Sequence, residues 1–185
     1  MEFPHLMQSF QIKNLVLRNR IVMAPMLSRL CDPDGIVSQK LIDYYAERAK
    51  GGVGLIIVEY CYIDGKESKA NQGQLGVYSD QPIAGLGDLA EAIQEWGAKA
   101  ILQICHAGRS TSAKFMGRQP MAPSAMPGYT GEMAREMTLG EIEAVMESFA
   151  EGARRAKTAG FDGVELHGTH GYLTAQFLSP YTNRR

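Results

Sequence analysis

Near the C-terminus, in Gly163-Val164-Glu165-Leu166-His167-Gly168-Thr169-His170-Gly171-Tyr172, two imidazoles and a phenol fall within six residues. An imidazole N–H can donate a hydrogen bond to a carbonyl or an anion, and a phenol can deliver a proton. The stretch opens with the strand-like Val164 and Leu166 and ends in glycines, so these groups gather at the end of one strand. Together they suit a site that polarises and protonates a substrate. A lone histidine is more often structural, whereas two at a spacing of three, followed by Tyr172, favour a site. The His-x-x-His spacing also invites a metal. Zinc on a helix takes histidines at i and i+4 plus a further ligand. Here the pair straddles a strand end, and no strand-one His-x-His or nearby Asp completes a set. A metal-assisted hydrolase or lyase using His167 and His170 is therefore the second reading. A chain that keeps these residues but binds no cofactor is the third.

Four apolar segments rich in Ile, Val and Leu must position such a site: Arg20 to Met26, Gly54 to Tyr60, Lys99 to Cys105 and Gly163 to His167. Near-continuous apolar runs of this length are the mark of parallel strands covered on both faces. Helical patterns separate them. Ser38 can N-cap a helix through Tyr44, Tyr45 and Ala49 to Gly51. A second helix runs from Ile83 to Trp96, with Leu86, Leu89, Ala90 and Ile93 on one face and Gly97 as its stop. A third opens with the capping box Thr138-x-x-Glu141, turns Ile142, Val145, Met146 and Phe149 inward and ends near Gly160. The order is α/β, four βα units with the last incomplete, which implies a parallel sheet. Ahead of it, Ser9 to Ile12 and Leu15 to Leu17 flank Lys13-Asn14 as a short β-hairpin that could plug one end of a barrel. Long connections follow strands two and three, at 61–82 and 106–137, and a short apolar run covers Tyr172 to Leu178. The units form either an open four-stranded sheet or half of a (β/α)8 TIM barrel. In a barrel, strand C-termini converge on one mouth. Ala24-Pro25-Met26, Glu59-Tyr60, Gln103 with Cys105-His106, and His167 would then surround one ligand.

Each has a plainer role open to it. Gln103 is either a buried amide satisfying backbone groups or a reader of a heterocyclic edge, since an amide both donates and accepts. Pro25 need only end its strand. Glu59 either pairs with an arginine at the mouth, the favoured reading, or acts in catalysis. His106-Ala107-Gly108-Arg109 reads first as a loop opening without a ligand role. A net charge of -1 over 185 residues, with basic residues scattered, gives no case for nucleic acid or an anionic membrane as partner. No apolar run approaches a membrane span, and no GxGxxG or Walker pattern follows a strand. Cys31, Cys61 and Cys105 lie far apart without a CxxC and are expected to pack as small hydrophobes in a cytoplasmic protein.

Four segments in this order carry a family resemblance: Asn19-Arg20-Ile21-Val22-Met23-Ala24-Pro25-Met26, Gly54-Leu55-Ile56-Ile57-Val58-Glu59, Leu102-Gln103-Ile104-Cys105-His106-Ala107-Gly108-Arg109, and His167-Gly168-Thr169-His170-Gly171-Tyr172-Leu173 with Gln176-Phe177-Leu178-Ser179-Pro180. Across essentially all 185 residues the chain resembles the N-terminal half of the Old Yellow Enzyme family, FMN-dependent ene-reductases on a TIM barrel. It is closer to the bacterial 2-enoate and dienoyl-CoA reductase-like members than to the yeast type, which carries Asn where His170 stands.

The resemblance implies one FMN-binding TIM-barrel domain, of which 1–185 is the N-terminal part and the C-terminal half is absent. It implies NADH or NADPH as reductant and a small α,β-unsaturated substrate. Ala24, Pro25, Met26, Leu27 and Tyr60 would lie along the flavin, and Gln103 would bond its pyrimidine edge. His167 and His170 would grip the substrate's carbonyl or carboxylate oxygen, and Tyr172 would protonate the α-carbon. Leu27 replaces a residue that is often Thr or Cys in the family and that tunes the flavin. Arg29, on the loop after strand one, would favour acidic substrates such as enoates or CoA thioesters. The absent half would carry the flavin phosphate site. Open strand edges imply a chain that forms a homo-oligomer or is completed by the missing half-barrel.

Overall fold

A computed structural model describes residues 3–65 and 67–185. A short helix α1 (Pro4–Met7) leads into the hairpin β1 (Phe10–Ile12) and β2 (Leu15–Leu17), antiparallel with Phe10 opposite Leu17. Next come β3 (Val22–Met23), α2 (Gln39–Lys50), β4 (Leu55–Tyr62), α3 (Ile83–Gln94) and β5 (Lys99–Cys105). The connection after β5 carries α4 (Ala113–Met116), β6 (Met121–Ala122), β7 (Met126–Pro127) and β8 (Met133–Glu136). Then come α5 (Leu139–Thr158), β9 (Gly163–Leu166) and α6 (Leu173–Leu178). The frame is the parallel sheet β3-β4-β5-β9, with α2, α3 and α5 in the crossovers.

Burial on the helix side holds this frame. Leu41, Tyr45 and Ala49 of α2 and Leu86, Leu89, Ala90 and Ile93 of α3 pack with Ile56 and Val58 of β4 and Ala100, Leu102 and Ile104 of β5. Cys61 lies in this core and Cys105 is buried beside it, while Cys31 is partly covered; all three are free. Local chemistry sets the helix starts. The Ser38 hydroxyl accepts from Leu41 N–H, and Thr138 and Glu141 form the reciprocal capping box, with Arg135 bonded to both Glu141 oxygens at 2.6 and 2.9 Å. That pairing holds the Glu141 carboxyl down at about 2. The hairpin is fastened underneath by Arg18, whose guanidinium donates to the carbonyls of Ala49, Val53 and Trp96. It thereby adds a side-chain donor to an end carbonyl of α2 that also accepts from Gly52 N–H at 3.0 Å.

Four expectations need correction. Strand one was expected over Arg20 to Met26, but only Val22 and Met23 pair with Leu55 and Ile56. Pro25 has no N–H to give a ladder, and the chain leaves the sheet before it. Strand two continues past Tyr60 to Tyr62 through a bulge: Val58 pairs with Leu102 and Cys61 with Ile104, so Glu59 and Tyr60 together face Gln103. The 106–137 connection holds the small sheet β6-β8-β7. Met146 does not turn inward with Val145; it is 67% exposed. With Ile142, Phe149, Leu166, Leu173 and Phe177 it lines an open apolar groove of about 420 Å³ beside the free edge of β9.

Candidate active site

The bulge in β4 sets up the site. The extra residue lets Val58 and Cys61 keep their places in the helix-side core while Tyr60 joins the cluster at the strand ends. There the Tyr60 ring lies 5.5 Å from His167 and 5.3 Å from Tyr172, centroid to centroid. His167 lies 4.8 Å from Tyr172 and 5.2 Å from His170, the latter edge to face. Three sequence-predicted residues of the loop after β9 and one from β4, two strands away, therefore meet in a single cluster.

Backbone and amide bonds hold the loop that carries three of them. His167 N–H continues the ladder to Ile104 O at 3.0 Å, and Leu173 N–H reaches His106 O at 2.9 Å. Between these anchors His170 and Gly171 take φ of 53° and 67°. Two left-handed residues in succession turn the chain so that Tyr172 returns to His167; the second is glycine, and a Cβ there would collide with the Tyr129 hydroxyl. Gln176 fastens the loop to the β5 end, donating to Gly171 O at 2.7 Å and Ala107 O at 3.3 Å while accepting from Arg109 N–H. Ser110 donates to the same Gly171 carbonyl at 2.7 Å.

The Thr169 hydroxyl sits 3.3 Å from Nδ1 of both His167 and His170. One hydroxyl hydrogen serves one ring, and the ring that accepts it carries its own proton on Nε2, ready to donate. Burial pushes the His167 imidazole down to about 4, helped by neighbouring His170, so His167 is neutral at pH 7. Burial raises both the Tyr172 and the Tyr60 phenols, keeping them protonated, and their hydroxyls hydrogen-bond at 3.2 Å. The cluster thus offers a neutral imidazole at His167 beside protonated phenols at Tyr60 and Tyr172.

Gln103 lies one ladder step behind, buried opposite Glu165 and donating to its Oε1 at 2.6 Å. Ala24 and Met26 are exposed, and Pro25 and Leu27 are half-buried, on the segment leaving β3. Among the described residues no hydrogen bond or ring contact ties these four to the cluster. The end of their segment is fixed by Glu59, whose Oε2 accepts from Ser28 N–H at 2.9 Å. No arginine pairs with Glu59 among the described residues, which corrects the favoured expectation: it serves the backbone instead. Its Oε1 has no protein partner there, and burial raises its carboxyl pKa. His106 is buried, accepts from Gly108 N–H at Nδ1 and is held neutral, down to about 3, by burial. Arg29 is exposed in a left-handed conformation, φ 59°, with Nη2 3.5 Å from Asn71 Oδ1. Sequence reasoning missed Asn71, Glu165 and the Thr169 bridge. Only Thr169, a hydroxyl between two histidines, carried a signal.

Residues 5–185 match the family model of the NADH:flavin oxidoreductase / NADH oxidase family, and the chain belongs to that family. It is 52% identical to an NADH oxidase of Thermoanaerobacter brockii over 99% of this chain and 28% of that protein. It is 46% identical to an NADH:fumarate oxidoreductase of Klebsiella pneumoniae over 97% of this chain and 20% of that protein. The Old Yellow Enzyme homologue of Zymomonas mobilis superposes with a TM-score of 0.90 at 33% identity, over 98% of this chain and 53% of that one. The fold is thus the N-terminal part of an Old Yellow Enzyme-type barrel, and the chain spans about half or less of the proteins it matches. FMN is the cofactor of this family, with NADH or NADPH as reductant.

The residues present fit that cofactor. Gln103 Nε2 is engaged by Glu165, while its Oε1 has no protein partner among the described residues and can accept from an imide N–H such as a flavin's. Ala24–Leu27, exposed or half-buried on the segment leaving β3, supplies apolar surface.

Proposed function

We propose that the chain is the N-terminal part of a single FMN-binding barrel domain and bears the substrate-activating side of an NAD(P)H-dependent ene-reductase. The observation that carries this reading is the meeting of His167, His170 and Tyr172, from the loop after β9, with Tyr60 of β4, across the intervening β5 of one parallel sheet. Ala24, Pro25, Met26 and Leu27 would border the flavin, Tyr60 would flank it, and Gln103 would bond its pyrimidine edge. Bound and reduced, FMN supplies a hydride to the β-carbon of the activated alkene. The N–H groups of His167 and His170 hold the substrate's carbonyl or carboxylate oxygen and stabilise the enolate-like charge that develops there. Tyr172 gives its phenolic proton to the α-carbon.

Arg29 favours acidic alkenes, and the relative named for fumarate, a dicarboxylate, supports that direction. Among the described residues no three His, Cys, Asp or Glu side chains gather to hold a metal ion, so the metal-assisted reading lacks a third ligand. No helix among them is long and apolar enough to cross a membrane. We place the protein in the cytoplasm, where its three free cysteines stay reduced.

Ligand titration of the flavin-loaded protein tests the substrate grip. His167→Ala and His170→Ala should each weaken a phenolate ligand by roughly 10- to 100-fold, the cost of removing one donor from a buried oxyanion. Unchanged affinity in both, with flavin retained, would remove the histidines from this role.

A further inference from the structure

Three side chains from separate parts of the fold form a hydrogen-bonded line into Tyr172. Arg29, on the loop after β3, donates from Nη2 to Asn71 Oδ1 at 3.5 Å. Asn71, in the connection after β4, donates from Nδ2 to the Tyr60 hydroxyl at 3.0 Å. The Tyr172 hydroxyl donates to Tyr60 at 3.2 Å. The direction of the line is set at its outer end. A guanidinium has no acceptor, so Asn71 must turn its oxygen to Arg29 and its amino group to Tyr60. That amino group can only donate, so Tyr60 receives it on its oxygen. With a second hydrogen bond arriving from Tyr172, both acceptor positions of the Tyr60 oxygen are filled. Its own hydrogen is then free to turn, and it finds no acceptor among the described residues.

We infer that Tyr60, held by Asn71 and Arg29, is a positioning residue that returns to Tyr172 the proton Tyr172 delivers. The inference rests on the reading of Tyr172 as the acid. When substrate binds, the Tyr172 hydrogen turns to the α-carbon and the Tyr60 hydrogen turns to the Tyr172 oxygen, reversing the hydrogen bond between the two hydroxyls. As the Tyr172 O–H bond breaks and its proton forms the C–H bond at the α-carbon, the Tyr60 O–H bond breaks in the same step, its proton passes to the Tyr172 oxygen, and the charge moves to Tyr60. There the Asn71 N–H, polarised by Arg29, already points at the oxygen that becomes negative. A water molecule protonates the Tyr60 phenolate and leaves hydroxide to the buffer. Arg29 also lines an open cleft of about 650 Å³ with Lys69 and Gly73, giving water a way to this end of the line. Among the described residues, the side chains hydrogen-bonded to the Tyr60 phenol or in ring contact with it are Asn71, His167 and Tyr172, and none is a carboxylate that would oppose the transient negative charge.

The test uses the flavin-loaded holoenzyme, reduced in advance and mixed with a neutral enone in mixtures of light and heavy water, with flavin reoxidation as the signal. A relay moves two protons, so the rate should fall along a bowed curve with deuterium content in the unaltered protein and along a straight one in Tyr60→Phe. Tyr60→Phe should also slow reoxidation roughly tenfold, and Asn71→Leu, further from the reacting carbon, should straighten the curve with a smaller loss. In a Tyr172→Phe background, adding Tyr60→Phe should change the rate by less than about twofold, because Tyr60 acts only through Tyr172. A Tyr60→Phe protein with unaltered rate and curve overturns the relay and leaves Tyr172 as the acid. A Tyr172→Phe protein that reoxidises at the unaltered rate sinks the underlying reading instead. If Tyr60→Phe still costs tenfold in the Tyr172→Phe background, Tyr60 is itself the donor and the relay is wrong.

Discussion

The central strands β4 and β5 and the flanking strands β3 and β9 hold their halves of the site in different ways. The core-facing residues of β4 and β5 are closed off by α2 and α3, and their ladder runs almost the whole length of both. Tyr60 and Gln103 therefore inherit their positions from packing, which tolerates little displacement. β3 pairs through two residues and β9 through four, and Val22 and Leu166 are 46% and 59% exposed. The His167–Tyr172 loop, which leaves β9, takes its shape instead from Gln176, Ser110 and two left-handed residues. Apolar burial places Tyr60 and Gln103, and polar bonds place the His167–Tyr172 loop.

The sharpest way to break that contrast is to truncate one apolar side chain in each region of the full-length protein. Leu102→Ala, in the closed core, should cost about 2–5 kcal/mol in urea unfolding. Leu166→Ala should cost about 1–2 kcal/mol if the remainder of a barrel covers the groove beside β9. A cost below about 0.5 kcal/mol at Leu166, the value for an exposed position, would show that edge to be free and would count against the single-barrel proposal. The smallest effect belongs to Arg29. Arg29→Ala should lower the ratio of activity on an enoate to that on a neutral enone by roughly fivefold, the worth of one partly exposed charge pair. The ratio matters because loss of the relay would slow both substrates alike. An unchanged ratio would return Arg29 to a solvated loop residue.

Much of this was legible in the sequence because the signals were local. Lys99–Cys105 is a near-continuous apolar run and forms a strand with those bounds. Ser38 and the Thr138–Glu141 box act within one helical turn, and both helices start where they stand. His167, His170 and Tyr172 share one loop, so their spacing already brought them together. The features that stayed hidden depend on distant partners. The β4 bulge is seen only against β5, since nothing in Val58-Glu59-Tyr60-Cys61 marks an extra residue. Glu59 reads as half of an ion pair until Ser28 N–H arrives from another strand's loop. Asn71 lies in a long connection without a motif, and Met146 follows a helical period that a free sheet edge leaves uncovered.

The central claim is that Tyr172 delivers the proton while the two histidines hold the oxygen, and separated half-reactions of the Tyr172→Phe holoenzyme test it most directly. Flavin reduction by NAD(P)H should proceed nearly as in the unaltered protein, since the phenol takes no part in it. Alkene reduction by the reduced flavin should slow by roughly 10²–10⁴, the range for loss of a general acid. Equal losses in the two half-reactions, or an unaltered rate of alkene reduction, would contradict the account and make Tyr172 a structural residue of the loop.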